Sequence, residues 1–545
     1  MRFWKTPQQI GLAALIVGGG ILLSRFMGLF RDKLISLLFG ATQESDLYFA
    51  AFVIPDFINY MLAGGYFAIT LIPFLTRYFE ENEEDGWRFF SSVFFWVAVS
   101  ICTLTFVAFL SAPDLARLAA PGLSVEAHSR LAFFLRIILP AQIFFLCGSC
   151  FSAILFMRKQ FFVPALVSIV YNLFIIIGGV VLRARGMEGF CWGVLVGAFT
   201  GNFLLPLLAV RSGGGLRIKW AVFHPGLKKY FLVALPLMIG QSITVVDEQF
   251  VRIFGSLAGV GAISWLSYAR RIMMVPVSVV AQAAGVASYP FMAELFVKNE
   301  LSRFYGTINS ALQNVMTLLV PLSVWMILIA EPTIRLIFQQ GRFGVSDTAN
   351  TARLLQVLLI CVSCWGYQQV LTRAYYSRLD TLTPVVLGTS VTVLMIPVFY
   401  FLTVRIGVLG VACASTASIF LFSVSMTLRW KVKFGAGVFS GLFSGTGKVL
   451  VLSAISVLPA WAAGKANPFD TLISPYLSAF SEIVLTGLCF GIVFATLSGY
   501  FIPELARPFL DRLGPVGRRL LRHRAVCEEP MAKTVAAQNG PKTLT

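Results

Sequence analysis

Ser24-Arg25-Phe26-Met27-Gly28-Leu29-Phe30-Arg31-Asp32 opens a block that runs on through Phe39-Gly40-Ala41, Asp46 and Ile54-Pro55-Asp56 to Ile72-Pro73-Phe74. Two apolar stretches, each long enough to cross a bilayer, here carry Arg25, Arg31, Asp32, Asp46 and Asp56 at or inside their ends. A charge near mid-membrane costs roughly 3 kcal/mol or more. Such charges persist where something uses them, so this block is the first place to look for function.

The rest of the chain has the same character. Of its 545 residues 57% are hydrophobic and 12% charged, and the mean hydropathy is +0.81. That much apolar surface does not fit inside a water-soluble globule, and the expected fold is an all-α polytopic membrane protein. A crossing takes about 20 apolar residues. Fourteen segments meet that length, at 8–30, 45–75, 87–112, 131–157, 162–183, 189–210, 229–255, 261–289, 308–330, 351–376, 382–404, 407–428, 445–464 and 477–502. Segment 1 reads as a retained helix rather than a secretory signal, because it holds Arg25 and no small-residue cleavage site follows. Lys and Arg cluster in loops on the N-terminal side, among them Arg211, Arg217, Lys219, Lys228 and Lys229, then Arg429, Lys431 and Lys433. Both termini are therefore expected in the cytoplasm.

The net charge of +18 follows these loops and a basic tail bearing Arg507, Arg512, Arg518, Arg519, Arg522 and Arg524, which suits anionic lipid rather than nucleic acid. Nine cysteines are scattered, and Cys147/Cys150 and Cys361/Cys364 read as small packing residues. His128, His224 and His523 stand apart, and no loop is long enough for a catalytic module, which argues against a membrane glycosyltransferase or ligase. No phosphate-cradling Gly-rich Lys motif appears, so a nucleotide-driven pump is not expected.

The sequence repeats itself. Phe39-Gly40-Ala41 is echoed by Phe254-Gly255-Ser256, Ile54-Pro55 by Val275-Pro276, Pro73-Phe74-Leu75 by Pro290-Phe291-Met292, Arg158 with Pro164 by Arg378 with Pro384, and Gly186-Met187-Glu188-Gly189 by Gly407-Val408-Leu409-Gly410. The copies lie about 215 to 221 residues apart, which is the mark of an internal duplication. An even number of segments between copies implies a parallel repeat of two six-helix lobes. The expected organisation is an N-lobe at 1–212, a linker at 213–228, a C-lobe at 229–430, two extra helices at 431–503 and a basic tail at 504–545. The linker, with Trp220, Val222 and Phe223 among basic residues, is expected to lie as a short amphipathic piece at the membrane surface.

Intramembrane charge concentrates in segments 1 and 2 and in their counterparts 7 and 8, which carry Asp247, Glu248, Arg252, Arg270 and Arg271. Segments 5, 6, 9, 11, 13 and 14 have apolar interiors. Local pairing explains Arg31 with Asp32, or Asp247 and Glu248 with Arg252, as well as ligand binding does. The adjacent cations Arg270-Arg271 lack an obvious local partner. Guanidinium left over after pairing suits a phosphate or diphosphate, which it binds bidentately. Gly64-Gly65, Pro236, Gly240, Pro276 and Gly285 interrupt the same helices, which fits both bending and close packing.

Ser24-Arg25-x-x-Gly28-x-x-Arg31-Asp32, Phe39-Gly40-Ala41 with Asp46, Ala51-Phe52-x-Ile54-Pro55, and Ser264-Trp265-x-x-Tyr268-Ala269-x-Arg271 before Pro276 together resemble the MurJ (MviN) lipid II flippases, within the multidrug/oligosaccharidyl-lipid/polysaccharide exporter superfamily. The resemblance implies a multi-pass transporter, not an enzyme, in the bacterial inner membrane. Its cargo would be lipid II, an undecaprenyl diphosphate bearing the peptidoglycan unit, carried from the cytoplasmic to the periplasmic leaflet by alternating access. It implies substrate-binding roles for Arg25, Arg31 and Arg271 at the diphosphate and an acidic family position at Asp46; Asp32, Arg252, Arg270 and Asn59 complete the candidate set. Segments 13 and 14 would form a groove for the lipid tail. Some members carry a sodium ion in the C-terminal lobe, for which Asp247 is the candidate here; no other cofactor is expected, and the partners are the glycolipid and membrane lipids around a monomer.

The sequence departs from the family where Asp56, Asn59-Tyr60 and Ala63-Gly64-Gly65 replace an Asn, a basic pair and Ala-Glu-Gly, so that one cavity arginine and one glutamate are absent. Arg270, in turn, stands where relatives often have an acid, and is expected to restore the lost positive charge. The same departures leave open another polyprenyl-diphosphate-linked glycan as cargo. The readings from other classes are a cation-coupled drug exporter, which would prefer an acidic cavity, and a non-transporting scaffold.

Overall fold

In the computed structural model the described residues are 10–510, apart from 64–65, 214–215, 218, 220, 243–245 and 468–473. Gly64-Gly65, Trp220 and the basic tail beyond Leu510 lie outside them, as does the side chain of Pro236. The described residues form helices joined by short turns, with no strand among them.

Among the described residues, nine helices, Glu83–Leu110 through Pro475–Phe501, are long and apolar enough to cross a membrane, and ten if the bent pair Val345–Leu359 and Val362–Ser377 counts as one crossing. That count covers neither segment 1, which forms the helix Ile10–Phe39, nor segments 2, 7 and 8. Segment 2 comprises Gln43–Ala50, Val53–Ala63 and Tyr66–Glu81; segment 7 comprises Pro225–Ser242 and Val246–Gly255; segment 8 runs from Ala262–Pro276 through a wide turn at Val277–Ala281 into Gln282–Val297. Segments 1, 2, 7 and 8 are the ones in which charge concentrates. Pro276 explains the widened turn in segment 8, because it has no N–H for the helical ladder and crowds the preceding turn.

Large apolar side chains are exposed in numbers that water would not tolerate: Val393, Leu394, Phe401 and Val404 on Leu382–Ile406, Leu450 and Leu458 on Leu442–Lys465, and Leu488 and Ile492 on Pro475–Phe501. In hydrocarbon such surfaces are solvated, and the backbone polar groups are satisfied within each helix.

The chain divides into two compact units that cut across the expected lobes. The first contains Met1–Arg271, Phe338–Leu354 and Val385–Ser418. Within it, the helices Phe162–Val181 and Glu188–Gly197 meet backbone to backbone. A Cβ on Gly178 would stand 2.6 Å from Gly189 O, and one on Gly193 2.7 Å from Ile175 Cα. Such proximity is how small residues bring membrane helices together. The linker also belongs here. Its described residues form a strap along Glu83–Leu110: Ser91 Oγ accepts from Lys219 N at 3.0 Å, Ser92 Oγ donates to Ala221 O at 2.8 Å, and Trp96 Nε1 donates to Val222 O at 2.9 Å. His224 closes the strap against Asp85 at 3.3 Å.

The second unit contains Ile272–Ile337, Leu355–Pro384 and Ile419–Thr545. Its interior includes Val320, Val449, Leu452 and Ile502, together with a hydrogen-bonded set in which Gln368 Nε2 donates to Ile419 O at 2.6 Å and Tyr367 shares a hydrogen bond with Thr427 at 2.6 Å.

The repeat is visible in the backbone. Lys159 and Leu379, equivalent positions after the repeated arginines, are both left-handed, at φ 57° and 61°. Both turns close the same way: Lys159 N bonds Phe156 O and Gln160 N bonds Leu155 O, while Leu379 N bonds Tyr376 O and Asp380 N bonds Tyr375 O. Gly186 and Gly407 repeat the pattern at φ 72° and 62°.

Candidate functional site

The charged residues of segments 1, 2, 7 and 8 gather within the first unit. Asp32, 2% exposed, is the centre of one group. Its Oδ1 accepts from Arg31 Nε at 3.0 Å and Nη2 at 2.9 Å, and its Oδ2 accepts from Arg271 Nε at 2.5 Å. Arg31 reaches further, donating through Nη1 to Asn172 Oδ1 at 3.2 Å, and Asn172 is itself fixed by donating to Ser168 O at 2.8 Å. One buried carboxylate thus holds two guanidinium groups, which leaves a positive charge. The Arg271 side chain is 46% exposed, against 11% for Arg31, so Arg271 carries that charge to the accessible surface.

Arg25 lies close enough to Arg271 for the two like charges to repel. It lines a cavity of about 370 Å³ with Val17, Ile21, Ser24, Phe156 and Ser168, one wall of which is the residue that orients Asn172.

A second group centres on Arg252, which donates to Asp56 Oδ2 at 2.8 Å, Glu248 Oε1 at 2.7 Å and Gln249 Oε1 at 3.3 Å. Here two carboxylates share one guanidinium. Glu248 is also within electrostatic reach of Arg270 and Arg271, which joins the two groups. Asn59 is partly buried on the same helix as Asp56. In a third group Arg270 Nη1 donates to Asp247 Oδ2 at 2.9 Å, and Ser415 Oγ donates to the same oxygen at 3.0 Å.

Five arginines, Arg25, Arg31, Arg252, Arg270 and Arg271, therefore stand with four carboxylates, Asp32, Asp56, Asp247 and Glu248. Among the described residues of this cluster the surplus is therefore a single positive charge, carried at its accessible end. Arg270, 8% exposed, spends its charge on Asp247. Segment 5 is not apolar inside, since it supplies Asn172; that lone amide among Val, Ile and Leu was the signal in the sequence for it. Ser415 and Gln249 carried no such signal.

Asp46 stands apart from this cluster. It is 2% exposed and accepts from Gly261 N at 2.5 Å, Ser264 N at 2.8 Å and Ser264 Oγ at 2.6 Å. It caps the first turn of Ala262–Pro276 from another segment, accepting from N–H groups that the helix start leaves without an intrahelical partner. Three of its roughly four acceptor positions are taken, which makes it a clasp between segments 2 and 8. The surrounding turns close the same seam. Ser45 Oγ lies 3.1 Å from Ser264 Oγ, Tyr268 OH donates to Gly40 O at 3.4 Å, Arg342 N bonds Leu37 O at 3.1 Å, and Trp265 Nε1 donates to Asp347 Oδ1 at 2.9 Å. Gly40 needs to be glycine on two counts: its φ is +67°, and a Cβ would stand 2.7 Å from Arg342 O.

Long apolar helices, a buried cluster of paired charges whose Arg25 lines a cavity, and a duplicated backbone pattern define the class: a polytopic membrane transporter that handles an anionic or amphiphilic cargo. Comparison with known proteins narrows this. The family described as "Lipid II flippase MurJ" matches residues 35–480, and the chain belongs to that family. The Burkholderia cenocepacia "Lipid II flippase MurJ" is 25% identical over 506 residues, covering 88% of this chain and 96% of that one. A "Probable lipid II flippase MurJ" from Buchnera aphidicola is 26% identical over 497 residues, covering 87% and 93%. Among solved structures, "Lipid II flippase MurJ, inward closed conformation" superposes with a TM-score of 0.75 at 22% identity, covering 90% of this chain and all of that one. A MATE family transporter of the MOP superfamily superposes at 0.62 with 13% identity, covering 79% and 96%.

The residues at Asp247 do not fit the sodium ion that the family resemblance implies. Oδ1 of Asp247 is buried without a hydrogen-bond partner among the described residues, which leaves one acceptor. A sodium ion needs several acceptor oxygens, whereas the groups that meet Asp247 Oδ2, Arg270 Nη1 and Ser415 Oγ, both donate to it. A cation placed about 4 Å from the Arg270 guanidinium would be repelled by about 4 kcal/mol at an effective dielectric constant of 20.

Proposed function

We propose that this chain carries lipid II, a polyprenyl diphosphate bearing the peptidoglycan unit, from the cytoplasmic to the periplasmic leaflet of the bacterial inner membrane. In this reading it works as a monomeric transporter with no catalytic step, and both its termini are cytoplasmic. The observation that carries the reading is the pair of guanidinium groups on buried Asp32, in a member of the lipid II flippase family.

The chemistry follows from charge and hydration. A sugar-peptide headgroup drawn unaided through hydrocarbon would leave many polar groups unsatisfied, at several kcal/mol each. A polar cleft keeps them hydrated, and half-exposed Arg271 with neighbouring Arg25 supplies donors to the diphosphate oxygens. Arg31 holds Asp32 in place, so the carboxylate positions Arg271 rather than competing for it. Segments 13 and 14 offer apolar surface for the lipid tail. About two negative charges moving outward gain roughly 2.3 kcal/mol each per 100 mV of inside-negative potential, enough to favour export without a nucleotide.

The test is rescue of a bacterium depleted of its own flippase, with lipid II assayed for access from outside the cell. Growth and outward exposure of lipid II are expected. Good expression with lipid II retained inside would overturn the reading in favour of another polyprenyl-linked glycan.

A further inference from the structure

We infer that Arg270 is a built-in counter-ion that takes the place of a metal cation at Asp247, so that this chain neither binds sodium there nor couples to it. The argument is geometric. Asp247, on Val246–Gly255, is an acid inside an apolar segment and needs a positive partner to remain ionised there. Arg270 provides one from Ala262–Pro276, with Nη1 at 2.9 Å from Oδ2 and side-chain exposures of 9% and 16% for the pair. Ser415, on Val408–Phe434, donates to that same Oδ2 at 3.0 Å. One carboxylate oxygen therefore ties together three helices, the task a shared cation would otherwise perform.

A guanidinium differs from a bound ion in two ways that matter for transport. It does not dissociate, so the link between segments 7 and 8 is independent of the sodium gradient. It is also directional, with donors in a fixed plane, so it holds the two segments in one orientation. The remaining oxygen, Oδ1, has no partner among the described residues. Removal of the guanidinium would leave an ionised carboxylate and a serine hydroxyl facing a gap, which is the start of a cation site.

The inference does not depend on the cargo, and its test reads stability rather than transport. The full chain in detergent is melted in sodium chloride and in choline chloride at equal ionic strength, as wild type, Arg270→Gln, Asp247→Asn and the double variant. The wild type is expected to melt at the same temperature in both salts. Arg270→Gln is expected to melt several degrees lower in choline and to recover part of the loss in sodium. The double variant, with no buried charge to compensate, is expected to melt above Arg270→Gln in choline and to ignore sodium. Sodium-specific stabilisation of the wild type that Asp247→Asn abolishes would overturn the inference. So would an Arg270→Gln variant as stable as wild type in choline, or a double variant no more stable than Arg270→Gln.

Discussion

Asp46 and Arg271 show how two charged residues of one sequence block come to do different work. Asp46 meets three donors and is closed off from water, so its loss is a structural event. Asp46→Ala would leave Gly261 N and Ser264 N buried without an acceptor, at about 1–3 kcal/mol for each unsatisfied group. We expect a clear fall in the melting temperature of the purified protein, and a smaller fall for Ser264→Ala, which removes one donor and leaves the backbone bonds. Equal melting of wild type and Asp46→Ala would refute the clasp. Arg271 is the opposite case. With Arg271→Ala, Asp32 keeps both bonds from Arg31, so the fold should survive while the accessible charge is lost. A charged hydrogen bond is worth about 1.5–3 kcal/mol, or roughly a tenfold to hundredfold loss of affinity for a polyprenyl diphosphate. A binding titration that gives wild-type affinity for Arg271→Ala would remove Arg271 from the site.

At the scale of elements, the sequence made some features legible and hid others for a physical reason. Charge in an apolar helix is conspicuous, so segments 1, 2, 7 and 8 stood out before any fold was known. The partners were hidden because pairing is made through space: Arg31 with Asn172 spans 141 positions and Arg271 with Asp32 spans 239. The pairing of Arg270 with Asp247 was hidden likewise, since adjacent arginines look like surplus charge until another helix supplies the acid. The repeat was legible down to the turn, and its second copy carries its own test. Asp380 accepts from Lys433 Nζ at 2.7 Å and from Thr383 N at 3.2 Å. Burial pushes its carboxyl up, but those bonds and the ammonium charge more than offset this and hold it below its ordinary value. A carboxylate depressed in the folded state adds stability that is complete above its unfolded pKa of about 3.9 and is lost as pH falls through the lower folded value. For a partly solvated pair the effect is about 1 kcal/mol at most. Asp380→Asn should therefore narrow the stability difference between pH 6 and pH 3, as read by thermal melting. An unchanged pH profile would show that Lys433 contributes nothing.

For the whole molecule, the repeat and the compact units give different partitions, and the seam explains part of the difference. The repeat pairs residues of like motif and turn geometry, whereas the first unit gathers Met1–Arg271 with Phe338–Leu354 and Val385–Ser418. Asp46, Ser45 and Gly40 from one copy meet Gly261, Ser264 and Tyr268 from the other inside that unit. Contacts of this kind join halves that the repeat keeps apart, and no periodicity in the sequence announces them. If alternating access moves the cargo, this seam has to part for release on its side of the membrane. Ser45 Oγ and Ser264 Oγ, 3.1 Å apart, are close enough for cysteines there to form a disulfide. The variant Ser45→Cys/Ser264→Cys, oxidised in proteoliposomes, is expected to retain cargo binding and lose translocation, and a reductant should restore movement to the level of the single variants. Undiminished translocation by the fully cross-linked protein would mean that segments 2 and 8 never separate at this point, and the exit path would then have to lie elsewhere in the bundle.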